Sequence, residues 1–174
     1  MDNLGLKRGT VALAKAHDAW NAHFERERVR LRKIVGPLAL DIQHVGSTAI
    51  PGLFAKPIID ILMAIPSLND VSKLRPALEA AGYTFRENGS DDIQKLFVLG
   101  PEDHRTHYLH ITELGSVEWR NSIGFRDYLR AHPDERQRYE DLKQGLAARY
   151  PDDRGSYTEG KRAYVESIFR KAAG

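Results

Sequence analysis

The sequence predicts an α+β fold, in which a small mixed β-sheet is flanked by helices and the C-terminal third of the chain is helical. Short apolar runs typical of strands are confined to the middle of the chain, between Leu40 and Thr112. Apolar residues at helical spacing precede this region and resume beyond Ser116, and such a separation of strands from helices is typical of α+β proteins. We expect one domain over residues 1–174, because a chain of this length is short for two.

The N-terminal part of the sequence predicts one long helix, from Val11 to Val35. Apolar residues recur there among charged ones at the spacing of a single helical face. Thr10 is the expected N-cap of this helix, and Gly36-Pro37 is expected to end it.

The remaining sequence predicts five strands and four further helices. The predicted strands are Leu40–Val45, Ile58–Ile65, Tyr83–Glu87, Lys95–Leu99 and His107–Thr112. The predicted helices are Leu68–Ala81, Val117–Ala131, Pro133–Tyr150 and Tyr157–Ala172. Proline suits the first turn of the helix that begins at Pro133, and the residues from Ser156 to Glu159 have the spacing of a capping box.

The charge of the chain is nearly balanced, since 26 Lys and Arg residues oppose 24 Asp and Glu residues. That balance gives no support to a general polyanion binder, so nucleic acid is not an expected partner. The chain has no cysteine, which excludes a disulfide framework, a cysteine nucleophile and a thiolate zinc site. No apolar run approaches the length of about 18 residues that indicates a membrane helix. We therefore expect a soluble, cytoplasmic protein without a membrane partner.

Asp60 is the most informative residue of the sequence, because it interrupts the apolar strand Ile58–Ile65. Burying an unpaired carboxylate is costly. Strand alternation places Asp60 on one face with Ile58, Leu62 and Ala64. Either Asp60 is a structural residue paired with an arginine or with backbone amides, or it points into a cleft and holds a metal ion.

Gly46-Ser47 directly follows the strand Leu40–Val45 and opens an irregular stretch that continues to Lys56. Glycine permits a positive φ and lets the backbone approach a ligand closely. A hydroxyl group and successive amides at such a turn can bind phosphate. The turn is a weak signal alone, but together with the acidic strand that follows it becomes specific.

These segments resemble the signature of the GrpB-like family. The resemblance is carried by Gln43–Leu53 and Ala55–Ile61, and it extends to the histidine-rich strand Thr106–Ile111 and to helical segments around Trp119, Phe125–Arg130 and Tyr157–Lys161. It covers the chain from about Val11 to Lys171. Members of this family occur alone and as the C-terminal domain of some dephospho-CoA kinases.

The resemblance implies a fold of the nucleotidyltransferase superfamily. In active members of that superfamily, a Gly-Ser turn, an Asp-x-Asp pair and a third carboxylate hold two Mg²⁺ ions around a nucleoside triphosphate. It therefore implies binding of a nucleoside triphosphate such as ATP, with Mg²⁺ as cofactor. The implied reaction either transfers a nucleotidyl group to a small-molecule acceptor or activates a carboxylate for ligation to such an acceptor.

The implied site residues have distinct roles. Asp60 would hold the metal, and His110 would be a second metal ligand or a general base. Phosphate would be bound by residues of the turn and by basic side chains, namely Gly46, Ser47, Lys56, Arg126 and Lys161. Lys56 could equally be an exposed loop lysine, and Tyr157 could stack on a base.

The sequence departs from the metal-binding pattern. Leu62 stands where the second carboxylate is expected, and His110 lies in the strand where a third acid would be sought. His107 and His110 are three residues apart, so a regular strand places them on opposite faces. His44, before the turn, either orients it or is a structural histidine. These departures leave an alternative open: a catalytically inert module that binds a small anion or a nucleotide.

Overall fold

The computed structural model describes residues 4–15 and 18–174. Within them the predicted α+β fold is confirmed. The helices are α1 (Asp18–Val35), α2 (Val71–Ala80), α3 (Val117–Ala131), α4 (Pro133–Arg149) and α5 (Arg154–Ala172), with 3-10 turns at Gly36–Leu38, Ser47–Ala49 and Leu68–Asp70. The strands are β1 (Ala14–Lys15), β2 (Asp41–Val45), β3 (Phe54–Ala55), β4 (Ile59–Ile65), β5 (Tyr83–Arg86), β6 (Lys95–Leu99) and β7 (His107–Glu113).

The main sheet has five strands in the order β2-β4-β7-β6-β5. β4 and β7 are parallel, and the other neighbouring pairs are antiparallel. The register places Asp60 beside Tyr108 and Leu62 beside His110. Because residues paired across neighbouring strands lie on the same face, these four side chains share one side of the sheet.

The opposite face of the sheet carries the larger hydrophobic cluster. Ile59, Ile61 and Met63 of β4 belong to a cluster that includes Trp20 of α1 and Leu78 of α2. A second cluster joins the three C-terminal helices to the residues that follow the turn Ser47–Ala49, and it contains Ile50, Leu53, Phe125, Leu129, Tyr139 and Ile168. The sheet face that bears Asp60 is therefore directed toward the C-terminal helices.

The predicted start of the first helix is wrong. Within the described residues, α1 begins at Asp18, and the prediction for Ala16 and His17 lies outside these residues. Thr10 is not an N-cap, because its hydroxyl donates to the carbonyl of Lys7 at 2.9 Å. The chain at β1 is extended because β1 pairs with β3, a short strand inside the stretch that was predicted to be irregular.

The predicted capping box of the last helix is also wrong. α5 begins at Arg154, and Asp153 is its N-cap. The carboxylate of Asp153 accepts from the amide of Ser156 at 3.0 Å and from its hydroxyl at 2.6 Å. Ser156 therefore lies inside the first turn, because the acidic side chain caps the helix one turn earlier.

Among the described residues, no helix combines the length and the apolar character that crossing a membrane requires.

Candidate functional site

The turn after β2 brings backbone against the acidic strand. Gly46 directly follows β2 and has φ 68° and ψ −168°, a conformation that favours glycine. The residues Ser47–Ala49 then form a 3-10 turn. Gly46 leaves no room for a side chain beside Asp60, because a β-carbon built on it would lie 3.2 Å from Cγ of that acid. The turn and the acidic strand thus form one continuous edge of a cleft.

Asp60 and His110 lie side by side at that edge. Oδ1 of Asp60 is 3.5 Å from Nε2 of His110, and both side chains remain partly exposed, at 32% and 26%. Asp60 is therefore not sealed in the core, and among the described residues its ion-pair partner is a histidine and not an arginine. This placement favours the site interpretation of Asp60 over the structural one.

The cleft has two arms that share Ser47, Asp60, His110 and Lys161. We call the first the cationic arm; it has a volume of about 320 Å³. Its other polar walls include Lys56, Tyr108, Arg154 and Tyr157. We call the second the aromatic arm; it has a volume of about 290 Å³. Its further walls include Glu118, Ser122, Phe125, Tyr139, Val165 and Phe169.

Two lysines flank a tyrosine ring in the cationic arm. Nζ of Lys161 lies 4.6 Å from the ring centre of Tyr157, and Nζ of Lys56 lies 5.8 Å from it. The pKa of Lys56 is lowered to about 7, mainly by burial and also by the positive charges of Arg154 and Lys161. Tyr157 is only 1% exposed, so the possible stacking of this ring on a nucleotide base does not fit its position.

Lys143 of α4 lies beneath the turn. It is 1% exposed, and its ammonium group donates to the hydroxyl of Ser47 at 3.2 Å and to the carbonyl of Phe54. Burial lowers the pKa of Lys143 to about 7, with Lys161 as a further cause. Lys143 therefore orients Ser47 and adds positive charge behind the turn.

Arg154 joins three segments at the outer wall of the cationic arm. Its guanidinium donates to the hydroxyl of Tyr108 at 2.7 Å and to the carbonyl of Thr10 at 2.9 Å. It also donates to the carbonyl of Lys7 at 2.8 Å. Arg154 thus holds the N-terminal segment against β7, while its charge faces the same arm as that of Lys56.

The C-terminal helices line the aromatic arm at regular intervals. Lys161, Val165 and Phe169 follow one another at four-residue spacing on α5, so they share one helical face. Glu118 and Ser122 have the same spacing on α3. Burial raises the pKa of the Glu118 carboxyl, and the nearby His110 partly opposes this shift.

Most of the predicted site residues come together. Six of them line the cleft, namely Gly46, Ser47, Lys56, Asp60, His110 and Lys161. Arg126 is not among the residues that line either arm. It donates to the Gln43 side chain and to the His44 carbonyl, each at 2.9 Å, and to Asp127. The prediction that Arg126 binds the ligand in this cleft is corrected, because β2 and Asp127 already occupy its guanidinium.

His44 and His107 are buried and line neither arm of the cleft. His44 contacts Thr48 at 3.0 Å and Asn21 at 3.2 Å, and its ring stacks on Phe24. Burial lowers the pKa of His44 to about 4 and that of His107 to about 4. His107 is buried on the opposite side of β7 from His110, as strand alternation predicted.

The donor set fits one magnesium ion better than two. Among the described residues, no group of three or more His, Asp or Glu side chains is close enough to hold a metal ion. Leu62, at the position of the expected second carboxylate, is 1% exposed. Mg²⁺ commonly binds through one or two carboxylates together with substrate phosphates and water. Asp60 satisfies that requirement for a single ion, whereas the imidazole of His110 is a poor ligand for so hard a cation.

Lys143 and Glu118 were not predicted as site residues. Both lie on helices, and each reaches the cleft only through the way its helix packs on the sheet. The one signal in the sequence is the four-residue spacing of Tyr139 with Lys143 and of Glu118 with Ser122, which places each pair on one helical face. That spacing is common on exposed helices, so it does not single out a site.

Comparison with known proteins identifies the relatives of this chain. A family model described as GrpB protein matches residues 10–171. The glutamate-rich protein GrpB of Alkalihalophilus pseudofirmus is 40% identical over 172 residues, which cover 97% of this chain and 99% of that protein. A dephospho-CoA kinase of Mycobacterium leprae is 27% identical over 200 residues, which cover 98% of this chain and 49% of the kinase.

Solved structures support the same assignment. The crystal structure of GrpB from Enterococcus faecalis has a TM-score of 0.85 and 32% identity, covering 92% of this chain and 96% of that chain. Cid1, described as having RNA terminal uridylyl transferase activity, has a TM-score of 0.52 and 16% identity, covering 78% of this chain and 42% of that chain. The likeness to Cid1 concerns the fold alone, and it confirms the predicted nucleotidyltransferase-like fold.

Proposed function

This chain belongs to the GrpB family, and we propose that it binds a nucleoside triphosphate, with ATP as the first candidate, in the cleft beside Gly46, Ser47 and Asp60. The phosphates would lie in the cationic arm. The protein would transfer the nucleotidyl group to a small-molecule acceptor. Where the acceptor is a carboxylate, this transfer activates it for ligation.

The observation that supports this proposal most strongly is the convergence of three lysines on one turn. Lys143 donates to Ser47 from behind, while Lys56 and Lys161 line the cavity in front of it. Within the described residues, none of these lysines forms a salt bridge to a carboxylate. Burial has lowered the pKa of Lys56 and that of Lys143 to about 7. A polyanion would relieve that unfavourable burial of positive charge, as the phosphates of a triphosphate do.

The proposed reaction assigns a role to each residue at the edge of the cleft. The acceptor attacks the α-phosphorus, the bond to the oxygen that bridges to the β-phosphorus breaks, and pyrophosphate leaves. His110, beside Asp60, takes the proton of the attacking group. The amides of the Gly46-Ser47 turn and the lysines bind the phosphate oxygens. A magnesium ion that Asp60 held with the phosphates would neutralise their negative charge.

Calorimetry with inorganic tripolyphosphate and with ATP tests the binding step. Lys161→Met removes a charge from the cationic arm and retains most of the aliphatic length of the side chain. We expect this variant to bind both ligands about ten-fold more weakly, because a hydrogen bond to a charged group is lost. The matched control is Lys33→Met, which changes an exposed lysine at the end of α1. Equal affinities in the two variants would overturn the proposal.

Leu62 favours a second candidate function, an inert module that binds a nucleotide or another small anion. This residue leaves Asp60 without the neighbouring carboxylate of a two-metal site. Transfer of label from ATP radiolabelled at the α-phosphorus to a panel of amines, alcohols and carboxylates distinguishes the two functions. Release of labelled product selects the transferase, and tight binding without product selects the inert module.

A further inference from the structure

The carboxylate of Glu118 lies in the aromatic arm without a direct partner. Within the described part of the chain it forms neither a hydrogen bond nor a salt bridge, although the residue is half-buried. His110 and Asp91 act on it only as neighbouring charges. Its neighbours along the cavity include Ser122, one helical turn further on, and the apolar side chains of Val165 and Phe169. An unpaired carboxylate in such surroundings is unfavourable, and the nucleotide-binding proposal does not use it.

We propose that the aromatic arm binds an organic ammonium ligand, whose positive charge pairs with Glu118 and whose apolar body lies against Phe125, Val165 and Phe169. An ammonium group satisfies the carboxylate with a charge-assisted hydrogen bond. The apolar walls exclude water around that bond and contribute the burial of the ligand body.

Lys161 lies where the aromatic arm meets the cationic arm, and beyond that junction the charges that face the aromatic arm are negative. An anionic ligand would be repelled by Glu118 and by the nearby charge of Asp91. A neutral ligand would leave the carboxylate less well compensated than a full positive charge does.

The position of this arm gives the ligand a place in the proposed reaction. The aromatic arm and the cationic arm meet at Asp60 and His110. A molecule anchored at Glu118 therefore extends toward the dyad beside the proposed phosphate site. If the ligand is the acceptor of the proposed reaction, the acceptor is an amine-bearing compound, and this identification rests on the proposed function. The binding of an ammonium ligand at Glu118 is a separate claim that does not depend on the proposed function.

Ligand titrations of the full chain, followed by calorimetry near pH 7, test the binding claim. The probes are benzylamine, its neutral analogue benzyl alcohol and its anionic analogue phenylacetate. We expect benzylamine to bind and the two analogues to bind at least about ten-fold more weakly. Adenosine is a fourth probe, because the exocyclic amine of a base could also donate to a carboxylate.

Glu118→Gln keeps the size of the side chain and removes its charge. We expect it to weaken benzylamine binding by about ten-fold. Asp92→Asn, which neutralises an exposed loop carboxylate, is the matched control and should leave the affinity unchanged. Thermal unfolding midpoints of both variants show whether they remain folded, and Glu118→Asp should retain part of the affinity if charge pairing is the cause.

The outcomes are distinct. The proposal is overturned if benzyl alcohol binds as well as benzylamine, if Glu118→Gln has no effect, or if adenosine binds to this arm in a manner that depends on Glu118. Tripolyphosphate affinity of Glu118→Gln separates this claim from the nucleotide proposal. Loss of amine binding with unchanged tripolyphosphate affinity supports two independent arms. If Lys161→Met and Lys33→Met bind tripolyphosphate equally well, the nucleotide proposal is overturned but the amine-binding proposal is not.

Discussion

Gly46 and Asp60 are in such close contact that a β-carbon built on Gly46 would come within 2.6 Å of Oδ2 of Asp60. No side chain can be accommodated there unless the carboxylate moves. Glycine is therefore required at this position for two reasons, its positive φ of 68° and the space that Asp60 occupies. The geometry of the turn and that of the acid are coupled.

Replacing Gly46 should consequently cost both stability and ligand binding. We expect Gly46→Ala to lower the free energy of unfolding by about 1–3 kcal/mol, from backbone strain and steric overlap. Gly52→Ala is the matched control, since Gly52 has φ 77° with nothing within 4 Å of a built β-carbon. Urea unfolding and ATP calorimetry should show the larger loss in Gly46→Ala, and only that variant should lose magnesium-dependent binding. Equal behaviour of the two variants would contradict the coupling.

Asp60→Asn should separate the effect of charge from that of metal binding. Without Mg²⁺, we expect the variant to bind ATP at least as tightly as the parent, because a negative charge near the phosphates is removed. With Mg²⁺, the parent should gain affinity and the variant should not, because a neutral amide is a weaker ligand for a hard cation. The measurement is ATP calorimetry with and without Mg²⁺. The same magnesium gain in both proteins would show that Asp60 does not hold the ion.

Anion binding should be accompanied by proton uptake near neutral pH. Burial lowers the pKa of Lys56 and that of Lys143 to about 7, so both are partly neutral in the free protein. A bound polyanion favours the charged form and raises each pKa, so the lysines take up protons. Affinity for tripolyphosphate should therefore fall as the pH rises above about 7.

Calorimetry in two phosphate-free buffers of different ionisation enthalpy measures this uptake directly. Lys56→Met should reduce the number of protons taken up, whereas Lys33→Met should not change it. Proton release, or a binding heat independent of the buffer, would show that these lysines are not linked to the anion.

His44 should make the fold sensitive to acid. Burial lowers the pKa of His44 from 6.5 to about 4 in the folded chain. Above pH 6.5 the ring is neutral in both states and contributes no pH dependence. Between pH 6.5 and about 4 only the unfolded chain takes up the proton, so the free energy of unfolding falls, by up to about 3 kcal/mol.

Urea unfolding between pH 7 and pH 4 measures this effect. His44→Gln should flatten the dependence on pH, although His107, whose pKa is also lowered to about 4, will maintain part of it. His104→Gln changes an exposed histidine and should retain the slope of the parent. A slope that is unchanged in His44→Gln would contradict the assignment.

The elements that the sequence predicts correctly are those whose local pattern is compatible with only one type of secondary structure. α3 has the predicted bounds, Val117–Ala131, and β6 has the predicted bounds, Lys95–Leu99. The N-terminal segment was predicted wrongly because the spacing of its apolar residues also suits a helix. Its extended conformation depends on pairing with Phe54–Ala55, a contact about forty residues away that no local pattern encodes.

The residues of the candidate site likewise differ in whether the local sequence or the packing of helices determines their position. Gly46 and Asp60 could be predicted together, because the turn directly follows a predicted strand and the acid interrupts the next one; in the structure Asp60 pairs with Val45, the residue before Gly46. Lys143 and Arg126 could not be placed, because each is on a helix and its direction depends on how that helix packs. Packing directs Lys143 toward Ser47 and Arg126 toward Gln43.

The face of α5 that borders the cleft also sets the reach of a ligand. Lys161 and Phe169 are eight positions apart, which corresponds to about 12 Å of helical rise. A lone inorganic phosphate at the first end cannot reach the second, so only an elongated molecule, or two small ones placed end to end, would occupy the whole length. An insertion of one residue between Lys161 and Val165 would rotate the far end by about 100°, and a protein with that insertion would keep the basic half and lose the other.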